Sequence, residues 1–337
     1  MPAFLELKKR QKIVLLVAKL TFLLLLGWSL SVQIDKQGDL RELWASYKEN
    51  RPSSVVFLWV GVGLLSLLNW GIEALKWQMS LGSLVQISYL QSFRGILAGI
   101  SLAFFTPNRI GEYGGRIWLL PSAVPKGQAV LCLLQSNIAQ LIVNFGIGGM
   151  GFAIFGYVYM PFENYYYWAG AVVGALVYFS IIVGFYFNIA WFQKKIPDRY
   201  TAKITPYFEA AAQVVLSARL SILGFSLLRY ATYITQYILL LWVSGVQIPI
   251  AKMLVFSLSS FFIQTILPTI VVFELGIKGN VALYFFGQSL ANPVSVLAAT
   301  FFLWVINLAI PALVGAWVWF FRSEEITAIS INNGDKG

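Results

Sequence analysis

Two segments of the sequence place charged side chains within otherwise apolar surroundings, and the two segments share a pattern. The first runs from Thr106 to Arg116 and the second from Leu267 to Lys278. Each contains a proline, a glutamate five or six residues later, and then a glycine and a cation at the second and fourth positions after the glutamate. The repetition indicates that the two halves of the chain carry related functional elements.

The residue types in this pattern predict two broken helices. Proline removes a backbone donor and ends the incoming half-helix, and a glutamate suits the N-terminus of the half-helix that follows. A glutamate and a cation four residues later form the favoured i, i+4 ion pair. Broken helices in a membrane are tolerated where they line a wet cavity, so the sequence predicts a polar cavity at these positions. The expected hinge residues are Pro107, Gly111, Pro268 and Gly276.

Six ionised residues form the candidate substrate-binding group: Arg109, Glu112, Arg116, Arg229, Glu274 and Lys278. Four cations against two anions favour a ligand that bears phosphate over a metal ion or an organic cation. Arg109 has no evident local acid, and Arg229 lies midway along an apolar stretch, where Glu112 or Glu274 is its expected partner across the bundle. A structural interpretation, in which paired charges neutralise each other for membrane insertion, stays open.

A third polar group, Asn69, Glu73 and Lys76, lies on one stripe of an apolar segment. The favoured interpretation is that Lys76 extends towards the membrane surface from the end of a helix and pairs with Glu73. We therefore expect this stripe to support the helix end rather than to bind substrate.

The composition excludes a water-soluble fold and most catalytic chemistry. Of the 337 residues, 58% are apolar and only 11% are charged, whereas a soluble domain carries about 25% charged residues. Without histidine and with Cys132 as the only cysteine, the chain lacks the residues for catalytic triads, zinc sites, iron–sulfur clusters and internal disulfides. Neither a metal nor a cofactor is expected. The net charge of +10 is assigned to cytoplasmic loops that face anionic lipid rather than to nucleic-acid binding.

The hydropathy pattern predicts an all-α polytopic membrane protein with one transmembrane domain over residues 1–337. Six segments are long enough to cross a bilayer: 13–34, 55–77, 128–160, 165–191, 218–243 and 294–321. A short amphipathic helix is expected within residues 35–54. Basic residues place the loop 192–217, both termini and the short tail 323–337 in the cytoplasm. The interrupted stretches 91–120 and 252–290 must then be re-entrant hairpins from opposite sides, which predicts an inverted repeat of residues 55–160 and 218–321.

The first motif, Pro107 to Glu112 followed by Arg116, resembles the signature of the lysylphosphatidylglycerol synthase transmembrane-region family, a flippase-like family. Asn69, Lys76 and the glutamate of the second motif are also similar, and the resemblance covers about residues 10–322. The family includes the N-terminal flippase part of the bacterial multiple peptide resistance factor. Because only a short tail follows the last predicted span, the resemblance does not imply the lipid-aminoacylating activity, and we expect no enzyme.

The sequence and the resemblance together predict a lipid translocase of the cytoplasmic membrane. Its expected substrate is a phosphate-bearing lipid: a phospholipid, an aminoacyl-phospholipid or a glycolipid. One alternative is an intramembrane enzyme that acts on a lipid phosphate. Another is a non-transporting accessory protein of cell-envelope lipid or polysaccharide synthesis. The expected partners are membrane lipids, with a second copy of the chain and envelope-synthesis enzymes as further candidates.

Overall fold

A computed structural model describes residues 55–104, 106, 109–195, 205, 207–208, 211–267, 271–289 and 291–318, and the single residues Thr21, Leu24 and Ala45. Within these ranges the secondary structure is helical, with no strand. Apart from the three single residues, the predicted first span 13–34 and the loop helix in 35–54 lie outside the described residues, as do the tail 323–337 and part of the loop 192–217. So do two of the four expected hinge residues, Pro107 and Pro268.

The described helices follow the predicted order along the chain. We number them α1 Val55–Leu81, α2 Tyr89–Ala103, α3 Gly111–Trp118, α4 Lys126–Tyr159, α5 Tyr165–Phe187, α6 Ile189–Lys194, α7 Leu216–Val243, α8 Ile250–Ile266, α9 Val271–Phe286 and α10 Pro293–Trp304. A π-helical segment, Val305–Ala309, continues α10, and the helix runs on to Val318. The predicted span 165–191 is interrupted, because Asn188 separates α5 from α6.

Four of the described helices are long and apolar enough to cross a membrane: α1, α4, α5 and α10 with its continuation to Val318. Helix α7 has 28 residues, more than the roughly 20 that a membrane span needs. Polar side chains such as Arg229 and Gln236 lower its mean hydropathy. The structure is therefore that of a helical, membrane-embedded protein.

Local sequence accounts for where the helices begin. Ser88 caps α2, since its hydroxyl oxygen accepts a hydrogen bond from the backbone N–H of Gln91 at 3.2 Å. In turn, the Gln91 side chain accepts a hydrogen bond from the Ser88 N–H at 3.0 Å, and the two hydrogen bonds together form a capping box. Helix α10 begins in a comparable way, with Asn292 as its cap and Pro293 in its first turn.

Helices α2 and α3 form the first hairpin, and glycines allow them to approach closely. A Cβ atom added to Gly115 would lie 2.6 Å from the Cα of Gly99. A Cβ atom on Gly111 would collide with the carbonyl group of Leu102, at the other end of the same contact. The pairing of Gly111 with Leu102 and of Gly115 with Gly99 makes the two helices antiparallel.

Helices α8 and α9 form the second hairpin, which is packed mainly by aromatic side chains. The rings of Phe256 on α8 and Phe286 on α9 lie 5.5 Å apart, and Phe155 of α4 lies 4.6 Å from the ring of Phe285. Gly276, an expected hinge residue, lies inside α9, and among the described residues no atom outside the local backbone of α9 and the adjoining residues lies within 4 Å of the position its Cβ would take. The helix continues through Gly276, so the break in the second hairpin precedes it.

The two hairpins begin at opposite ends of the helix bundle. Helices α1 and α7 are antiparallel, because Gly61 packs near Leu239 at one end of their contact and Glu73 near Arg229 at the other. The first hairpin follows the C-terminal end of α1 through the short connection 82–88, and the second follows the C-terminal end of α7 through 244–249. Arg109, in the turn of the first hairpin, and Leu267, directly after α8 of the second, nevertheless lie against the same central space.

Candidate functional site

A cavity of about 520 Å³ lies at the centre of the bundle, where residues of both hairpins meet. Its charged lining residues are Arg109 from the first hairpin, Glu274 and Lys278 from the second, and Arg229 from α7. A smaller cavity of about 250 Å³ adjoins it, lined in part by Glu73 and Glu112. The two cavities share four lining residues: Arg109, Gln140, Asn144 and Arg229.

The large cavity lies near the midpoint of every long helix around it. Asn69 on α1, Asn144 on α4, Arg229 on α7 and Asn307 on the continuation of α10 all line it, and each lies near the middle of its own helix. A helix that spans a bilayer has its middle at the centre of the hydrocarbon layer. On α1, α4 and the continuation of α10, which are long and apolar enough to cross a membrane, these side chains therefore lie in the part of the helix where polar groups are costly and commonly mark a functional site.

Glu73 is the hub of the charge cluster beside the cavities, with only 3% of its side chain exposed. Its Oε2 atom lies 3.2 Å from Lys76 Nζ and 3.5 Å from Arg229 Nε. Its Oε1 atom lies 3.0 Å from Arg116 Nη1. The expected pairing of Lys76 with Glu73 is confirmed. The expectation that Lys76 extends towards the membrane surface is wrong, because both side chains are buried inside the bundle.

Arg229 and Arg109 both have carboxylate partners that differ from those expected. Glu73, rather than Glu112 or Glu274, lies within ion-pair distance of Arg229. Arg109 Nε lies 3.5 Å from Glu112 Oε2, so the expectation that Arg109 lacks a local acid is also wrong. This acid lies three residues further along the sequence, so the spacing alone was compatible with the pair.

The turn that carries Arg109 has an unusual backbone. Arg109 has φ 59°, in the left-handed region that a residue with a side chain seldom adopts. This conformation costs roughly 1–2 kcal/mol for a residue other than glycine. The hydroxyl oxygen of Thr106 stabilises the turn by accepting a hydrogen bond from the Gly111 N–H at 2.7 Å. Strain of this kind is commonly retained where it places a functional side chain.

Arg116 lies behind the cavities rather than in their walls. Its side chain is 1% exposed, and its two terminal nitrogens donate to Glu73 and to Glu112. Arg116 is not among the lining residues of either cavity described here. Its role in this arrangement is to hold the two glutamates in position.

The second hairpin contributes one ion pair. Lys278 Nζ lies 2.5 Å from Glu274 Oε1, the i, i+4 pairing that the sequence predicts. Both residues line the large cavity. Adding Glu73 and Lys76 to the six residues of the candidate group gives five cations and three anions. The excess of two positive charges equals the excess that the sequence predicted.

Uncharged polar side chains connect the helices around the cavity. The Asn307 side-chain amide donates to Gln236 Oε1 at 2.8 Å, and that of Asn69 donates to Asn307 Oδ1 at 3.2 Å. On α4, Gln140 accepts from Lys76 at 3.0 Å and donates to Asn144 at 3.1 Å. Sequence reasoning missed the residues on α4, although their spacing of four places them on one face of an otherwise apolar helix.

No protein-family model, curated protein or solved structure matches this chain. The resemblance carried by the segment from Pro107 to Arg116 therefore stays a prediction from the sequence.

Proposed function

We propose that this protein is a lipid translocase, which moves a phosphate-bearing lipid between the two leaflets of the cytoplasmic membrane. The observation that carries the proposal is the shared cavity. Two hairpins from opposite ends of the bundle bring Arg109 and Lys278 to one polar space at mid-depth. Substrate sites of transporters built from inverted repeats lie at this position, between broken helices.

The proposal includes a specific membrane topology. It has six spans and two re-entrant hairpins, with residues 55–160 and 218–321 as inverted repeats and both termini in the cytoplasm. The antiparallel packing of α1 on α7 supports this topology, because these are the first helices of the two repeats. Helices in the same position of inverted repeats must run in opposite directions through the membrane.

In this proposal the headgroup phosphate binds between Arg109 and Arg229. Both arginines line both cavities, and their side chains are 36% and 22% exposed. Each Nε atom lies 3.5 Å from a glutamate oxygen, which is longer than a well-formed charge-assisted hydrogen bond. A phosphate can therefore take up the remaining donors of the two guanidinium groups.

The acyl chains would stay outside the polar cavity. Ile266 and Leu267, at the end of α8, line the cavity and are also exposed on the surface of the bundle. Apolar side chains at this edge suit contact with lipid tails while the headgroup enters. A rocking motion of one repeat against the other would then expose the headgroup site to either leaflet in turn.

Reconstituted vesicles test the proposal. The wild-type protein should exchange fluorescent phosphatidylglycerol between leaflets, measured as the fraction of probe accessible to dithionite. The double variant R109Q/R229Q should lose at least about tenfold in rate, since it removes both guanidinium groups from the cavity. R94Q is the matched control, because Arg94 is an exposed arginine of the same hairpin that lines neither described cavity.

Equal exchange by the wild type and by R109Q/R229Q would contradict the proposal. Release of inorganic phosphate from a lipid phosphate, abolished by the same double variant, would instead favour the intramembrane enzyme. Co-purification with a glycosyltransferase, without exchange or phosphate release, would favour the accessory protein.

A further inference from the structure

The cations of the charge network beside the cavities fall into two groups that differ in burial. Lys76 and Arg116 each have 1% of the side chain exposed, and neither lines a cavity described here. Arg109 and Arg229 have 36% and 22% exposed, and each of them lines both cavities. The first two are therefore internal counter-ions, whereas an occupant of the cavities can reach the second two.

The two buried cations already neutralise the two glutamates of the network. Lys76 lies 3.2 Å from one carboxylate oxygen of Glu73, and Arg116 lies 3.0 Å from the other. Arg116 also pairs with Glu112. These four residues carry two positive and two negative charges. The two accessible arginines can therefore exchange their 3.5 Å contacts with the glutamates for contacts with a ligand, and each glutamate keeps a buried partner.

Two positive charges remain when the pairs of this site are counted. Lys278 and Glu274 neutralise each other in the second hairpin, so Arg109 and Arg229 are the cations in excess among the described residues of the site. The residues outside the described ranges between the helices of each hairpin are uncharged: 105, 107–108 and 268–270. Arginine does not lose its proton in proteins, and uncompensated charge inside a membrane bundle is costly. A ligand that neutralises this site must therefore bring two negative charges.

We propose that the cavities bind a phosphate group that carries two negative charges, as a phosphomonoester or a diphosphate does. This inference rests on the proposed function and names its substrate class, a lipid with a doubly charged phosphate headgroup. A phosphomonoester has a second pKa of about 6 and three acceptor oxygens, so one such group can pair with the guanidinium groups of both Arg109 and Arg229. A phosphodiester lipid such as phosphatidylglycerol binds the same site more weakly, because its single charge leaves one arginine uncompensated.

Binding of short-chain lipids to the purified full-length protein in detergent tests the inference, at about pH 8, where a phosphomonoester is doubly ionised. Dihexanoyl phosphatidic acid is the doubly charged probe. Dihexanoyl phosphatidylmethanol is its matched control, because it differs by one methyl group and one charge. Phosphatidic acid should bind at least about tenfold more tightly, since its second charge engages the second guanidinium group. Equal affinities for the two lipids would contradict the inference.

Single variants connect this preference to the two arginines. R109Q and R229Q each leave one positive charge in excess, so either should reduce the preference for phosphatidic acid over phosphatidylmethanol to less than about threefold. R94Q should keep the preference, because Arg94 is an exposed arginine of the first hairpin that lines neither described cavity. The full preference in a folded R109Q or R229Q would contradict the inference. The comparison of the two lipids on the wild type is conclusive even if a variant does not fold.

The outcomes separate this inference from the proposed function. If R109Q/R229Q weakens both lipids but the wild type binds them equally, the inference is wrong although the anion site stands. If R109Q/R229Q binds phosphatidic acid as the wild type does, the anion site of the proposed function fails. If phosphatidic acid is preferred but the vesicles show no exchange, the translocase is wrong and the charge of the ligand stands. Glycerol 3-phosphate should bind at least about tenfold more weakly than phosphatidic acid, because it lacks acyl chains, and equal binding would overturn the lipid source.

Discussion

The two hairpins occupy equivalent positions in the chain but are stabilised by different means. In the first, glycine contacts bring α2 and α3 together, and Glu112 and Arg116 join a network that reaches Glu73 on α1. In the second, aromatic rings pack α8 against α9, and the charges form one pair, Glu274 with Lys278. The same sequence pattern thus supports a shared network in one half of the molecule and an isolated pair in the other.

This difference assigns different tasks to the two hairpins. The network that the first hairpin joins carries the excess positive charge, because Arg109 and Arg116 of the hairpin, Lys76 of α1 and Arg229 of α7 share only two glutamates. The second adds no net charge to the cavity. We therefore expect the first hairpin to bind the anionic part of a ligand and the second to shape the wall around it.

Removing both members of each i, i+4 pair should give the largest contrast between the hairpins. Replacing both members of a buried ion pair with uncharged residues often changes the free energy of unfolding very little. Removing only one member lowers it by roughly 3–5 kcal/mol, because the other charge stays buried without a partner. In the second hairpin, E274Q/K278M removes an isolated pair and should restore most of the stability lost in K278M. In the first, E112Q/R116M also removes a partner of Glu73 and should recover little of the loss in R116M.

Thermal unfolding of the purified variants in one detergent measures this contrast. The single variants E112Q, R116M, E274Q and K278M complete the two double-mutant cycles. If both double variants recover stability to the same extent, the ion pair between Arg116 and Glu73 does not contribute to the free energy of unfolding.

Alanine at one glycine of each hairpin should give a smaller contrast, again with the larger loss of stability in the first hairpin. In G115A the new methyl group meets the backbone of Gly99 at 2.6 Å, and we expect a loss of about 1–3 kcal/mol from overpacking. In G276A the new methyl group meets no atom of another described element within 4 Å, and alanine should stabilise the helix by up to ~1 kcal/mol. The unfolding temperatures should move in opposite directions, and a fall in G276A as large as in G115A would contradict the packing described here.

The sequence predicted the elements of this fold more fully than the contacts between them. Helix order, the interrupted segments and the ion pair of Glu274 with Lys278 all follow from local pattern, since proline, glycine and i, i+4 spacing act within a few residues. The approach of α2 to α3 is likewise indicated by the glycines of the first motif.

The charge network could not be predicted, because it depends on which helices pack together. Glu73 and Lys76 form an acceptable local pair, so nothing in their spacing requires the additional contacts with Arg116 and Arg229. The polar face of α4, with Gln140 and Asn144, is visible in the sequence, but its connection to Lys76 is a long-range contact. Tertiary packing alone made these residues part of one site.

The smallest expected change in stability concerns the turn of the first hairpin, which has a counterpart in the second that lies outside the described residues. In R109G, glycine adopts φ 59° without steric cost, so relief of backbone strain should raise the stability by about 1 kcal/mol. Lipid exchange should fall at least about tenfold, because the guanidinium group is lost from both cavities. R109K separates the two effects, since it keeps the charge and the strained backbone and should leave the unfolding temperature close to that of the wild type. An unfolding temperature that falls in R109G would mean that the ion pair with Glu112 outweighs the strain, and the turn would then be held by charge rather than by its surroundings.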